Sequence, residues 1–101
     1  MPSMTNHASR PHALEFSYVA ARAAFLDAAA DAGAELTAHE HPLTGLENEA
    51  LTLDVATLGP ADAARRVLVV SGTHGVEGYC GSALQTGWLR THAADRPDDV
   101  R

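Results

Sequence analysis

The hydrophobic positions change period several times along the chain, and each change marks an element. Val19, Ala20, Ala23, Ala24, Leu26 and Ala30 recur near helical spacing. They predict a helix from about Ser17, a suitable N-cap, to about Ala32. Gly33 stands where a helix stop belongs. Glu35 to His41 alternates weakly and ends at Pro42, which predicts a strand near an edge, because proline cannot donate to a ladder. Leu43 to Asn48 reads as a turn around Gly45. Leu51 to Leu58 alternates more clearly: Leu51, Leu53 and Val55 point one way, Thr52, Asp54 and Ala56 the other. Gly59, Pro60 and Asp62 predict the next turn.

Val67 to Val70 is a continuous apolar run, the pattern of a strand buried on both faces at the centre of a sheet. A glycine-rich stretch follows. Tyr79 to His92 then reads as a helix, with Ala83, Leu84, Trp88 and Leu89 on one side. Residues 93 to 101 hold Pro97 and several acids and read as a loop. Residues 1 to 15 lack periodicity, carry Pro2 and Pro11, and are expected to form a disordered tail ahead of one domain over 16–101. The expected class is α/β: a mixed sheet with an antiparallel first pair, joined by the valine strand and flanked by helices.

Length and composition narrow this further. With 101 residues there is room for one small domain. No apolar run reaches the length of a membrane span, and the first twelve residues lack the apolar segment of a secretory signal. One cysteine, Cys80, excludes an internal disulfide framework and fits a cytoplasmic location. The net charge is −6, with seven arginines and no lysine. Without a basic stripe, nucleic acid and anionic membranes are poor partners. Twenty alanines accompany the arginines; no mechanism follows from that bias.

Chemistry concentrates in Ser71-Gly72-Thr73-His74-Gly75-Val76-Glu77-Gly78, between the valine run and the last helix. Ligands of open α/β sheets bind just beyond the carboxyl ends of strands. An imidazole and a carboxylate three residues apart can both approach a zinc ion at about 2.0–2.2 Å. The glutamate at i+3 suits a ligand better than a base, in contrast to His-Glu-x-x-His, where the glutamate is the base. The plainer reading of such a pair is two surface residues or a local hydrogen bond.

Gly72-Thr73-His74-Gly75-Val76-Glu77 resembles the Gly-x-His-Gly-x-Glu signature of the zinc carboxypeptidase superfamily, with its aspartoacylase and succinylglutamate desuccinylase branch. The longer string SGTHGVEGYCGSALQ, residues 71–85, is more similar still to a carboxypeptidase-like family described as a domain of unknown function. Tyr18 with Ala21-Arg22 and Phe25, His41-Pro42, and Asp54-Val55-Ala56 with Leu58-Gly59 are similar too, so the resemblance spans about residues 15 to 91. It implies the N-terminal portion of a carboxypeptidase-like (phosphorylase/hydrolase-like) domain. It also implies zinc, with His74 and Glu77 as its first two ligands, and a peptide or other small-molecule amide as substrate. The family's third ligand (a histidine), its general-base glutamate and its carboxylate-clamping arginines come from further along the chain than these 101 residues reach. The expectation is therefore the N-terminal part of a longer hydrolase, inactive alone, with no catalytic residue identifiable within it. Neither the substrate nor the oligomeric state is specified.

Other residues admit two readings each. His39 and His41 share a strand face and could bind metal, or simply form the polar face of an edge strand. His92 could favour the helix C-terminus as a cation, or be a third ligand, but a helix of this length carries it roughly 20 Å from its start. Cys80, near a helix N-terminus where a thiolate is stabilised, is a candidate nucleophile of a thiol hydrolase. Its surroundings miss the nucleophile-elbow spacing, and the plainer reading is a small buried residue packing helix on sheet. Ser82 reads as a helix-start hydroxyl, Asp54 as a strand-end hydrogen-bonding residue, and Glu47 and Glu49 as a solvated turn. Gly72, Gly75 and Gly78 do not have phosphate-loop spacing, which argues against nucleotide binding. A non-catalytic remnant or interaction module that keeps the loop for structural reasons is the alternative from another class.

Overall fold

The structure, a computed structural model, describes residues 17–101. The expectation of a disordered tail over residues 1 to 15 lies outside the described residues. Helix α1 runs from Tyr18–Asp31. Strands β1 (Glu35–Thr44) and β2 (Ala50–Thr57) follow, then helix α2 (Gly78–Thr91) and a short 3₁₀ turn, Ala93–Asp95.

Both ends of α1 are set by local chemistry. Ser17 is the N-cap, and its hydroxyl accepts from the Ala20 N–H at 3.1 Å. At the other end Gly33 takes φ +79°, a backbone state that a Cβ would strain. The Gly33 N–H bonds to the Ala30 carbonyl and the Ala34 N–H to the Ala29 carbonyl. That pair of bonds is the Schellman closure.

The chain then forms the expected antiparallel pair, with Glu35 opposite Thr57 and Glu40 opposite Thr52. β1 does not stop at Pro42. It continues to Thr44, which pairs with Ala50, and the register shifts between Glu40 and Thr44. Pro42 falls within that irregular stretch, where no donor is required of it. The hairpin closes on Gly45 and Asn48: Gly45 N–H reaches the Glu49 carbonyl and Asn48 adopts φ 62°. The Glu49 carboxylate accepts from the Glu47 N–H at 3.0 Å, so this turn is organised as well as solvated.

Helix α1 covers the Thr52–Asp54–Ala56 face of β2, not the Leu51–Leu53–Val55 face. Arg22 donates to Asp54 from Nε at 2.8 Å and from a terminal nitrogen at 3.2 Å. Thr52 Oγ1 donates to the same carboxylate at 3.0 Å. The Tyr18 hydroxyl accepts from the Thr52 N–H at 2.7 Å and donates to the Thr52 carbonyl at 3.2 Å. Asp54 is thus mid-strand and nearly buried, which corrects its reading as a strand-end residue. Its hydrogen bond raises the Arg22 pKa above the ordinary guanidinium value, against a smaller opposing effect of burial. Leu53, on the other face, is 64% exposed.

The core is made of small side chains. Ala28, Ala29, Leu89 and Ala93 are buried together, with Phe25, Ala32, Ala34, Ala56 and Leu58 packed around them. Helix α2 therefore turns Thr86, Gly87 and Leu89 inward. Leu84 and Trp88 of its expected apolar side stay open.

The Val67–Val70 run does not join the β1–β2 sheet, and it is not buried. The four residues are 66%, 84%, 67% and 68% exposed. Just before them Arg65 makes a parallel bridge to Val100. The Arg65 N–H bonds to the Asp99 carbonyl, the Arg101 N–H to the Arg65 carbonyl, and the Val67 N–H to the Arg101 carbonyl. Asp99 also pairs with the Arg65 side chain. Residues 99–101, expected as loop, thus lie beside 65–67. The α/β class holds, with antiparallel and parallel pairing both present. The four apolar side chains lack the cover that such a run has at the centre of a sheet. Among the described residues no helix is long and apolar enough to cross a membrane.

Candidate functional site

The loop from Ser71 to Glu77 is shaped by close backbone contact at its two feet. Gly72 has φ +75°. A Cβ on Gly78 would stand 2.7 Å from Gly72 Cα, and one on Gly81 would stand 2.8 Å from Ser71 Cβ. The first turn of α2 therefore rests directly on the segment that opens the loop. Gly78→Ala is expected to push the two feet apart and to lower stability by roughly 1–3 kcal/mol, the usual range for overpacking. Chemical denaturation measures this, and an unchanged midpoint would mean the feet are not in contact. Gly75→Ala should be milder, since its Cβ would meet only the movable Glu77 carboxylate, at 3.1 Å.

Three short-range bonds wind the loop into α2: Gly78 N–H to Gly75, Tyr79 N–H to Val76 and Cys80 N–H to Glu77. Glu77 takes the N-cap position without capping through its side chain. Its carboxylate instead turns back and accepts from the Gly75 N–H at 3.2 Å. That bend brings Glu77 Oε2 to 3.9 Å from His74 Nδ1. Both side chains are open, at 81% for His74 and 69% for Glu77. Two donors bound to one tetrahedral ion stand about 3.4 Å apart. A small rotation of two unhindered side chains closes that difference.

The remaining candidates do not converge on this pair. Among the described residues, no group of three histidines, cysteines, aspartates or glutamates is placed to hold a metal. His41 Nδ1 accepts from the Leu43 N–H at 2.9 Å, a local turn contact. His92 caps the far end of α2. Cys80 is exposed, which corrects its reading as a buried packing residue, because Gly81 rather than Cys80 meets the Ser71 segment. Among the described residues, neither a hydrogen bond nor an ion pair links Cys80 to a histidine. Ser82 is the fifth residue of α2, too deep to be the helix-start hydroxyl expected of it.

One residue escaped sequence reasoning. Gln85 donates from Nε2 to the Val69 carbonyl at 3.0 Å and accepts at Oε1 from the Ser71 hydroxyl at 2.9 Å. It lies seven residues after Gly78 and four after Gly81, on the small-residue face of α2. That spacing, and its place as the last residue of the 71–85 string, were its available signals.

The loop, its glycine feet and the Arg22–Asp54 contact all fall inside one family match. The family described as "Protein of unknown function (DUF2817)" matches residues 15–101. The chain belongs to the DUF2817 family. No curated protein and no solved structure matches it. The DUF2817 match includes the whole loop from Ser71 to Gly78, both helices and both strands.

Proposed function

We propose that this DUF2817 chain is the N-terminal part of a zinc-dependent hydrolase of peptide or N-acyl amide bonds, with His74 and Glu77 as two of the metal ligands. One observation carries the reading: an imidazole nitrogen and a carboxylate oxygen 3.9 Å apart on an open loop. Nitrogen and oxygen donors at that separation suit zinc. A divalent ion held there would supply Lewis-acid polarisation of an amide carbonyl and acidify water. Within the chain, His74 offers its ring lone pair, and the Gly75 N–H orients the Glu77 carboxylate beside it. Two protein ligands are one fewer than catalytic zinc ordinarily has, so the 101-residue chain is expected to bind the ion weakly and to hydrolyse nothing.

Zinc titration of the purified chain by calorimetry tests this. His74→Ala and Glu77→Ala should each weaken binding by about tenfold or more. Equal zinc affinity in the wild type and both variants would remove the site. The non-catalytic remnant or interaction module, and the thiol hydrolase using Cys80, would then be the readings that are left.

A further inference from the structure

The two open side chains, His74 and Glu77, have little of their own to fix them. Their geometry is inherited from the feet of the loop. There the glycine contacts bring α2 onto Ser71 and Gly72 but do little to stop it sliding, since van der Waals contact is weakly directional. The directional contacts are those of Gln85. Val69 offers a carbonyl, which only accepts, so the amide nitrogen of Gln85 must face it and Oε1 must face the Ser71 hydroxyl. Both ends of one amide are thus used, one on each side of the peptide that leads into the loop.

We propose that Gln85 is a positioning residue for the His74–Glu77 pair. It locks the register of α2 against the segment entering the loop and so sets how far apart the two donors stand. The proposal rests on the reading of that pair as metal ligands. Its chemistry is that of an outer-shell contact acting through backbone, two turns of helix away from the donors.

The test compares wild type, Gln85→Ala, Gln85→Glu and Ser71→Ala, with Leu89→Ala as a variant that weakens the fold without touching the loop. Two quantities are read on the folded chain. The first is the hydrogen-exchange rate of the Gly75 amide without metal, which reports the Gly75–Glu77 bond. The second is affinity for zinc alone. Gln85→Ala should speed Gly75 exchange beyond the change seen in Leu89→Ala and weaken zinc binding by about tenfold. Gln85→Glu keeps the acceptor for Ser71 but turns an oxygen toward the Val69 carbonyl, so it should not rescue. Ser71→Ala should lie between Gln85→Ala and wild type. If Gln85→Ala leaves either quantity within twofold of wild type, or only matches Leu89→Ala, the positioning role is wrong. A wild type that binds no zinc sinks the metal reading instead, and Gly75 exchange alone then decides for or against Gln85.

Discussion

Replacing Leu89 by alanine is expected to destabilise the chain by roughly 2–4 kcal/mol. Leu89 is 8% exposed and is the one large side chain in a buried cluster otherwise made of alanines. Its buried neighbours are alanines that cannot swing in, and only Phe25 and Leu58 at the margin can shift toward the space it leaves, so most of the cavity term is retained. The loss is a large share of the total stability of a domain this size, about 5–15 kcal/mol. Urea unfolding should show a lower midpoint with an unchanged slope. A loss below about 1 kcal/mol would place the true core elsewhere.

Asp54→Ala should cost about 2 kcal/mol. The carboxylate is 10% exposed and accepts from Arg22 and Thr52, so its removal leaves a half-buried guanidinium and a hydroxyl without their partner. Arg22 keeps a third of its side chain in solvent, and that limits the penalty. Asp54→Asn, which keeps one acceptor oxygen, should cost less. The raised Arg22 pKa fixes the sign of its own pH dependence. Its contribution is complete below the unfolded guanidinium pKa and fades only as pH climbs through the folded one. Stability should therefore show no step from Arg22 across the neutral range. Equal unfolding midpoints for wild type and Asp54→Ala would mean that the contact is ornamental.

What the sequence could disclose was what neighbours in sequence decide. The Ser17 cap, the Gly33 stop and the Gly45 turn each depend on a few consecutive residues, and each is where local chemistry places it. The two faces of β2 were equally plain from alternation. Which face α1 would cover was not, because Arg22 and Tyr18 favour the polar side through contacts more than thirty residues away in sequence. The valine run shows the same limit more sharply. Its composition suits burial, but burial depends on what lies across from it, and composition holds no record of that. At the site, the His74–Glu77 spacing was readable, and the two side chains do stand together. The Cys80 error was one of helix phase: a shift of one residue exchanges the side facing Ser71 for the side facing water. The role of Gln85 was not legible, because its partners are a hydroxyl and a backbone carbonyl on another segment.

Tyr18 gives the hairpin a property that its ladder alone would lack. With its hydroxyl bonded to both backbone groups of Thr52, the outer rim of β2 is stoppered, and any newcomer strand would have to evict a phenol before zipping on. Among the described residues, no comparable stopper guards the Leu68, Val69 and Val70 N–H groups, although Gln85 already occupies the Val69 carbonyl. The molecule is therefore lopsided as a template: recruitment of further β-structure is discouraged beside the hairpin and left permitted along the valines, a few ångströms of backbone from the histidine loop.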